Sequence, residues 1–456
     1  VSSIPCNPAL LVDLYELTMA AGYFEHGMNA RPTFELFVRH MPRNRAYLVA
    51  SGVDAALDYL ECLRFTEEDV AYLRQQPAFR TVSDSFFEHL GRFHFSGDVD
   101  AVREGTLVFA EEPILRVSAP VEEAQIVETY LLSVINFETL VASKAARVVR
   151  AAGGAPVLEF GTRRAHGPEA GLRAARAAYV GGCAATSNVL AGMRYGVPIA
   201  GTAAHSWTQI FPDERRSFEA LAETFPDSAI LLIDTYDSLA GAEIASTLGR
   251  PVAGVRLDSG ELLEKSRRVR QILDRHGMYN TKIVASGDLN EHKIEKLVAA
   301  GAPIDSFGVG TDLATSRDVP ALSVVYKLVE FTRDGQTYFT TKFSEEKVYW
   351  PGSKQVFRFS EGGRFHHDLL ARAEEKYPEA APLLEPALRA GKRVMPREPL
   401  TETRARTLAN LARLPEPYLA LRDAPAYPVE KSAALDRLLE EAREKYLDAS
   451  KATGAT

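Results

Sequence analysis

Between residues 155 and 312, short apolar runs alternate with stretches of helical periodicity, and this rhythm constrains the fold more than any other feature of the chain. The runs are "APVLEFG", "VPIAG", "AILLIDT", "VAGVRLD", "KIVASG" and "IDSFGVG". Between them lie "EAGLRAARAAYVG", "SFEALAETFP", "SLAGAEIASTLG", "GELLEKSRRVRQILDRHG" and "LNEHKIEKLVAAG". A tight turn joins antiparallel strands, whereas parallel strands need a crossover, so strand–helix alternation reads as parallel strands covered by helices. Each run ends in polar or conformationally special residues: Glu159 and Arg163, His205, Asp234 and Asp237, Arg256 and Asp258, Ser286 and Asp288, Gly308 and Gly310. Such groups at successive strand C-termini are expected of a β/α barrel whose site lies on that face. A doubly wound open sheet, the alternative, gathers its ligand groups at one switch point.

The flanks read differently. Residues 1–120 form an α+β domain: "PTFELFVRHMP" alternates as a strand, "GVDAALDYLECL" is an amphipathic helix, and "GTLVFAEEPILRVSAP" is two short strands around Pro113. Residues 121–150 are helical throughout, acidic at the start and basic at the end as the helix dipole prefers, and Gly153-Gly154 stops them. The barrel is therefore drawn over 121–330. Residues 331–400 are β-rich, with hairpin punctuation at Asp334-Gly335 and Pro351-Gly352, and are expected to pack back on the N-terminal domain. Residues 401–456 read as helical, fraying at "SKATGAT". The fold class is thus α/β: an irregular, TIM-like β/α barrel with an α+β domain built from the segments on either side.

With 456 residues there is room for two or three domains. A net charge of −8 argues against a nucleic-acid binder but leaves room for a locally basic anion site. Cys6, Cys62 and Cys183 are odd in number, far apart and without CxxC spacing, so neither a disulfide framework nor a cysteine zinc site is expected. No signal peptide and no membrane-length apolar run are evident, and a cytoplasmic enzyme is the expectation.

The strand ends carry the chemistry. His205, in "VPIAGTAAHSW", is placed to face a cavity, where a neutral imidazole serves as nucleophile or base. Standing alone it would read as a histidine satisfied by backbone; its charged neighbours favour function. Of the adjacent Arg163 and Arg164, one is expected to enter the site, where a guanidinium fork matches carboxylate or phosphate oxygens. Phe160 offers either a ring face to a planar substrate or core packing. Arg256 and Asp258, two apart, point to the same side of a strand as a structural ion pair or as ligands of phosphate and sugar. Gly287, Gly308 and Gly310 let backbone N–H groups come close to a phosphate, as late barrel loops do. GxGxxG, GxxxxGK[ST] and HExxH are absent, so nicotinamide-dependent hydride transfer and P-loop ATP hydrolysis have no support.

The segments "VDLYELTMAAGYF", "LEFGTRRAHGPEAG", "TSNVLAG", "PIAGTAAHSW", "LLIDTYDS", "VRLDSGEL", "VASGDLNEHKI", "DSFGVGTDL" and "KFSEEKVYWPGSKQVFR" occur in the order expected of nicotinate phosphoribosyltransferase, which the chain resembles over most of residues 9–358. The resemblance implies transfer of the phosphoribosyl group of phosphoribosyl pyrophosphate to nicotinate, giving nicotinate mononucleotide and pyrophosphate in NAD salvage. It also implies coupling to ATP as co-substrate, a Mg²⁺ requirement with ligands left open, and a homodimer with shared active sites. His205 would be the histidine that ATP phosphorylates. Tyr15 would reach across the dimer to stack on the pyridine ring opposite Phe160. Arg163 would hold the nicotinate carboxylate or nearby phosphate oxygens, Arg256 the pyrophosphate and Asp258 the ribose. Gly287, Asp288, Gly308 and Gly310, flanked by Ser286 and Thr311, would cradle the ribose 5-phosphate. Where the nicotinamide-specific relative carries an aspartate, this chain has Ser187; a hydroxyl donates to a carboxylate that an aspartate would repel, which favours the acid over the amide. Nicotinamide or quinolinate phosphoribosyltransferase is the alternative activity, and a non-catalytic nucleotide-binding protein the alternative class.

Overall fold

The parallel strands form where the apolar runs predict them. A computed structural model describes residues 8–343 and 348–452, the last seven by backbone alone; Cys6, residues 344–347 of the motif "KFSEEKVYW" and the end of the "SKATGAT" tail lie outside them. The chain divides into two units: Val141–Pro320 with Leu400–Thr407, and the remainder.

The first unit is the irregular barrel. Six strands run in the order Ala185–Thr186, Val157–Glu159, Ser306–Val309, Lys282–Ala285, Gly254–Leu257, Ile230–Leu232, every ladder parallel. Their central residues, among them Val157, Leu231, Val255, Ile283 and Phe307, are buried on both faces, as parallel strands under helices must be. The expected strand over "VPIAG" does not form. It contributes one parallel bridge, Ile199 to Thr186, and residues 200–204 run as coil. Pro198 brings no N–H to a ladder, so pairing stops after two bonds, Thr186 N to Pro198 O and Ala200 N to Thr186 O. Among the described residues no ladder joins this segment to Ile230–Leu232, and the barrel stays open there.

The second unit is α+β. A seven-stranded sheet runs Gln336–Phe339, Val324–Arg333, Arg31–Val38, Pro113–Ser118, Asp98–Val102, Leu384–Arg389, Lys392–Arg393. The post-barrel segments thus pair directly with the N-terminal ones, antiparallel at Arg31–Val38 with Val324–Arg333 and at Asp98–Val102 with Leu384–Arg389. Asp334 and Gly335 take φ of 52° and 76° in the expected hairpin. Pro351-Gly352 is not a second hairpin. It leads into another sheet, where Lys354–Glu361 returns as Arg364–Arg372 through Gly362-Gly363.

Three boundaries differ from the sequence reading. The barrel unit ends at Pro320 rather than 330, because Val324–Arg333 pairs with Arg31–Val38. At its other end the division falls within the long helix Glu128–Ala151, at Val141 rather than 121. The helix Leu400–Arg413 opens in the barrel unit, where Arg404 donates to the carbonyls of Gly182 and Cys183. The helical stretch Val121–Ala151 is, against expectation, long and apolar enough to cross a membrane by length and composition. It is a core helix: Val134, Ile135, Val141, Ala142, Ala145 and Val148 are buried, and so are Glu138, Lys144 and Arg147.

Candidate active site

The tips of the barrel strands converge on one cavity of about 370 Å³, lined by Phe160, Arg163, Arg164, Ser187, residues 201–205, Leu232, Arg256, Asp258, Ser286, Gly287, Asp288, Gly308, Gly310 and Thr311. Every barrel residue given a binding or catalytic role in the sequence reading is therefore there, whereas the strand-end carboxylates Glu159, Asp234 and Asp237 are not among its walls. Both adjacent arginines line it, rather than one, because residues Thr162–Arg164 form a 3-10 turn in place of a straight strand end. His205 is delivered by coil and opens the short helix His205–Ile210, rather than ending a strand.

Arg256 is the hub. Its Nη2 donates to Asp258 Oδ1 at 2.7 Å, its Nε to Ser286 Oγ at 2.7 Å, and its Nη1 to Thr202 Oγ1 at 2.6 Å. Its guanidinium carbon lies 5.9 Å from the centre of the Phe160 ring. The two-residue spacing on a strand does put Arg256 and Asp258 on one side, and the pair is both structural and open to the cavity. Burial opposes ionisation of Asp258, but the Ser286 hydroxyl and the Arg256 charge outweigh it and hold the carboxyl below the usual range. A fixed carboxylate is thus available to the cavity, able to stabilise positive charge placed beside it. His205 sits beside it: Nδ1 is 3.2 Å from Thr235 Oγ1, and Nε2 is 3.8 Å from Asp258 Oδ2, beyond hydrogen-bond reach.

The glycines serve packing as much as anion access. A Cβ on Gly287, at φ +94°, would stand 1.7 Å from the Asp258 carbonyl oxygen, and Asp288 beside it is also left-handed at φ 48°. A Cβ on Gly308 would meet the Phe160 ring at 2.6 Å. Gly308 is therefore the slot that seats the ring, and Phe160 is a cavity wall rather than buried core.

Several strand-end polar groups prove to be supports. Glu159 is fully buried; its Oε2 accepts from Thr186 Oγ1 at 2.6 Å and its Oε1 from the Gly161 N–H, and burial raises its pKa. Asp237 caps the helix Ser238–Ser246. Asp234 Oδ2 accepts from the Asp258 N–H at 2.9 Å and Ser259 Oγ at 3.0 Å, while its Oδ1 has no partner. The sequence reading missed Thr202 and Thr235, though each stands within three residues of a residue it singled out. Beside this polar cavity, at the open side of the sheet, lies a larger apolar one of about 990 Å³, bounded by Ile199, Trp207, Ile210, Phe225 and Ile230 and sharing residues 201–204 as a wall.

Tyr15 lies in the α+β unit, 45% exposed, on a separate cavity of about 430 Å³ with Arg39, Gln125, Glu128, Tyr326, Lys327 and Lys342 among its walls. Burial and the carboxylates Glu128 and Glu16 push its phenol up, so it is neutral.

Residues 141–320 match the family model for the quinolinate phosphoribosyl transferase C-terminal domain, so the barrel is of the phosphoribosyltransferase type. Residues 10–136 and 377–439 match the N-terminal and C-terminal domain models of nicotinate phosphoribosyltransferase (NAPRTase). The chain belongs to the nicotinate phosphoribosyltransferase family. Nicotinate phosphoribosyltransferase pncB2 of Mycobacterium tuberculosis is 44% identical over 97% of this chain and 95% of its own length. The human nicotinate phosphoribosyltransferase is 33% identical over 94% and 96%. The crystal structure of human nicotinic acid phosphoribosyltransferase aligns with a TM-score of 0.81 at 30% identity, over 94% of this chain and 99% of that one. That of nicotinate-nucleotide pyrophosphorylase from Pyrococcus furiosus gives 0.74 at 25%, over 91% and 97%.

Proposed function

We propose that this protein joins nicotinate to the ribose of phosphoribosyl pyrophosphate, releasing pyrophosphate in a step of NAD salvage, and that ATP drives the step through a phosphohistidine at His205. The observation that carries the reading is the convergence of Arg256, Asp258, Ser286 and His205 with Phe160 and the glycine turns in one cavity. The pyridine nitrogen bonds to the anomeric carbon as the bond to the pyrophosphate oxygen breaks. No protein nucleophile is needed, so positioning and charge do the catalysis. Asp258, kept ionised, faces the cationic sugar, and Arg256 faces the departing pyrophosphate. Phe160 gives the pyridine a wall, Arg163 and Arg164 supply guanidinium forks for anionic oxygens, and Ser187 offers a hydroxyl to the nicotinate carboxylate. The turns at Gly287-Asp288 and Gly310-Thr311 take the ribose 5-phosphate.

For the coupling step, a ring nitrogen of His205 bonds to the γ-phosphorus of ATP as the bond to ADP breaks. Thr235 engages Nδ1, which leaves Nε2 as the nitrogen without a hydrogen bond. Mg²⁺ fits the donor set. Among the described residues no cluster of three His, Cys, Asp or Glu side chains makes a cage, but Mg²⁺ binds through one or two carboxylates plus substrate phosphates. Asp258 and Asp234, with its unpartnered Oδ1, would hold it, and it would neutralise phosphate charge when bound. A homodimer gives Tyr15 a role, since its exposed ring and the cations of its cavity would face a partner's barrel. Among the described residues Cys62 and Cys183 are free thiols, which suits a cytoplasmic place.

His205→Ala tests the coupling. The expected result is loss of nicotinate-dependent ATP hydrolysis and of acid-labile phosphoenzyme, with slow ATP-independent transfer retained. Full stimulation by ATP in this variant would overturn the phosphohistidine.

A further inference from the structure

Deep in the barrel unit, one ammonium binds three carboxylates. Lys144, on the helix Glu128–Ala151, places Nζ 2.7 Å from Glu291 Oε2, 2.6 Å from Asp312 Oδ1 and 2.8 Å from Asp318 Oδ1. Arg147, one turn on, puts Nε 3.2 Å from the other Glu291 oxygen. The Lys144 side chain is 2% exposed and that of Glu291 is wholly buried. Burial alone would drive a lysine towards neutrality, but Glu291, Asp312 and Asp318 reverse this and hold it charged; Lys144 and Arg147 likewise keep Glu291 ionised against its own burial. A buried ionic cluster of this kind returns less stability than apolar packing of the same volume, so its value lies in the geometry it fixes.

That geometry is specific. Glu291 is the first residue of the helix Glu291–Ala299 and stands three residues after Asp288. Asp312 follows Thr311 in the single turn Thr311–Ala314, which Gly310 opens. The two turns leave adjacent strands, Lys282–Ala285 and Ser306–Val309, and both line the cavity. Each runs directly into a carboxylate held by the same ammonium. A second lysine braces one of them, since Lys293 Nζ donates to the Asp288 carbonyl at 2.8 Å. None of the groups in the cluster itself lines the cavity.

We propose that Lys144 is a positioning residue that fixes the spacing between the Gly287-Asp288 and Gly310-Thr311 turns, and so sets affinity for the phosphate end of phosphoribosyl pyrophosphate without touching it. This rests on the reading that the two turns hold the ribose 5-phosphate. Misplacing one turn by a fraction of an ångström weakens binding at that end and leaves the pyridine end, seated on Phe160, as it is.

The test compares Lys144→Met, Lys144→Arg, Asp312→Asn and a turn variant, Gly310→Ala, by initial-rate kinetics in both substrates. The expected result is a rise in KM for phosphoribosyl pyrophosphate of roughly tenfold in Lys144→Met, with KM for nicotinate within about twofold of wild type. Lys144→Arg recovers part of the loss. Asp312→Asn is isosteric and leaves Lys144 two carboxylates; it carries the test if Lys144→Met does not fold, with an expected rise of about threefold in the same KM alone. If Gly310→Ala raises that KM while Lys144→Met and Asp312→Asn do not, the positioning role is overturned and the turn reading stands. If Gly310→Ala leaves it unchanged, the turn reading fails and takes the positioning role with it. Equal rises in both KM values, in step with lost thermal stability, would make the cluster structural only.

Discussion

Arg256 with Asp258, and Arg358 with Asp368, are pairs of the same chemistry with N···O distances of 2.7 and 2.5 Å, yet they do different work. The first stands at a barrel strand tip, with Asp258 30% exposed to the cavity. The second lies between paired strands of the α+β unit, at 4% and 0% exposure, with the Tyr427 hydroxyl also donating to Asp368 and with burial and the Asp368 charge pushing the neighbouring Glu112 carboxyl well up. Bond length and residue type do not separate a pair that faces a cavity from one sealed in the core. Position does: parallel strands end where helices leave a face uncovered, whereas antiparallel strands bury their middles.

Substitutions that remove one partner should pull the two apart. The largest effect on turnover is expected at the barrel. Asp258→Asn keeps shape and loses charge, and pyrophosphate release should fall by about 10²–10³-fold, the scale of a lost electrostatic stabiliser, with little change in Tm. In the α+β unit the loss falls on stability instead of turnover. Asp368→Asn leaves Arg358 buried without its counter-ion and should cost about 3–5 kcal/mol in unfolding free energy, read by urea titration, while KM values of the folded fraction hold. A large Tm loss for Asp258→Asn, or a KM change for Asp368→Asn, would blur the distinction.

Much of the barrel was legible because its signals are local. Apolar runs and polar strand ends singled out Phe160, Arg163 or Arg164, His205, Arg256, Asp258, Ser286, Gly287, Asp288, Gly308 and Gly310, and the family resemblance added Ser187 and Thr311; Thr202 and wall residues such as Ala203 and Leu232 were not singled out. What was hidden was non-local. Nothing within "INFETLVASKAARVVR" tells that Lys144 and Arg147 turn inward to Glu291, since basic residues late in a helix read equally well as partners of its dipole. Glu35 falls on the polar side of an alternating strand, yet it is buried because the strand sits mid-sheet, where Lys354, over three hundred residues on, neutralises it. "VPIAG" has the composition of a strand, but Pro198 denies it the donor a ladder needs.

Two smaller effects sharpen the contrast. Gly308→Ala puts a methyl against the Phe160 ring and should raise KM for nicotinate by roughly tenfold, as a misplaced binding wall does, with the phosphoribosyl pyrophosphate KM nearly unchanged. In the α+β unit, burial pushes the Glu16 carboxyl up to about 8, against the hydrogen bonds of Thr129 and with the Glu128 charge adding to it. The folded state then holds a proton that the unfolded chain has released, so this group lowers stability as pH rises from the usual carboxyl range through about 8. Glu16→Gln removes that slope; the Tm difference between variant and wild type should grow from pH 5 to pH 9, and a constant difference would contradict it.

The most direct measurement is pyrophosphate release from phosphoribosyl pyrophosphate with nicotinate, nicotinamide or quinolinate, each with and without ATP. The account predicts turnover with nicotinate, stimulated by ATP, and little with the amide or the dicarboxylate. Preferred use of nicotinamide, or CO₂ release from quinolinate without ATP, would contradict it.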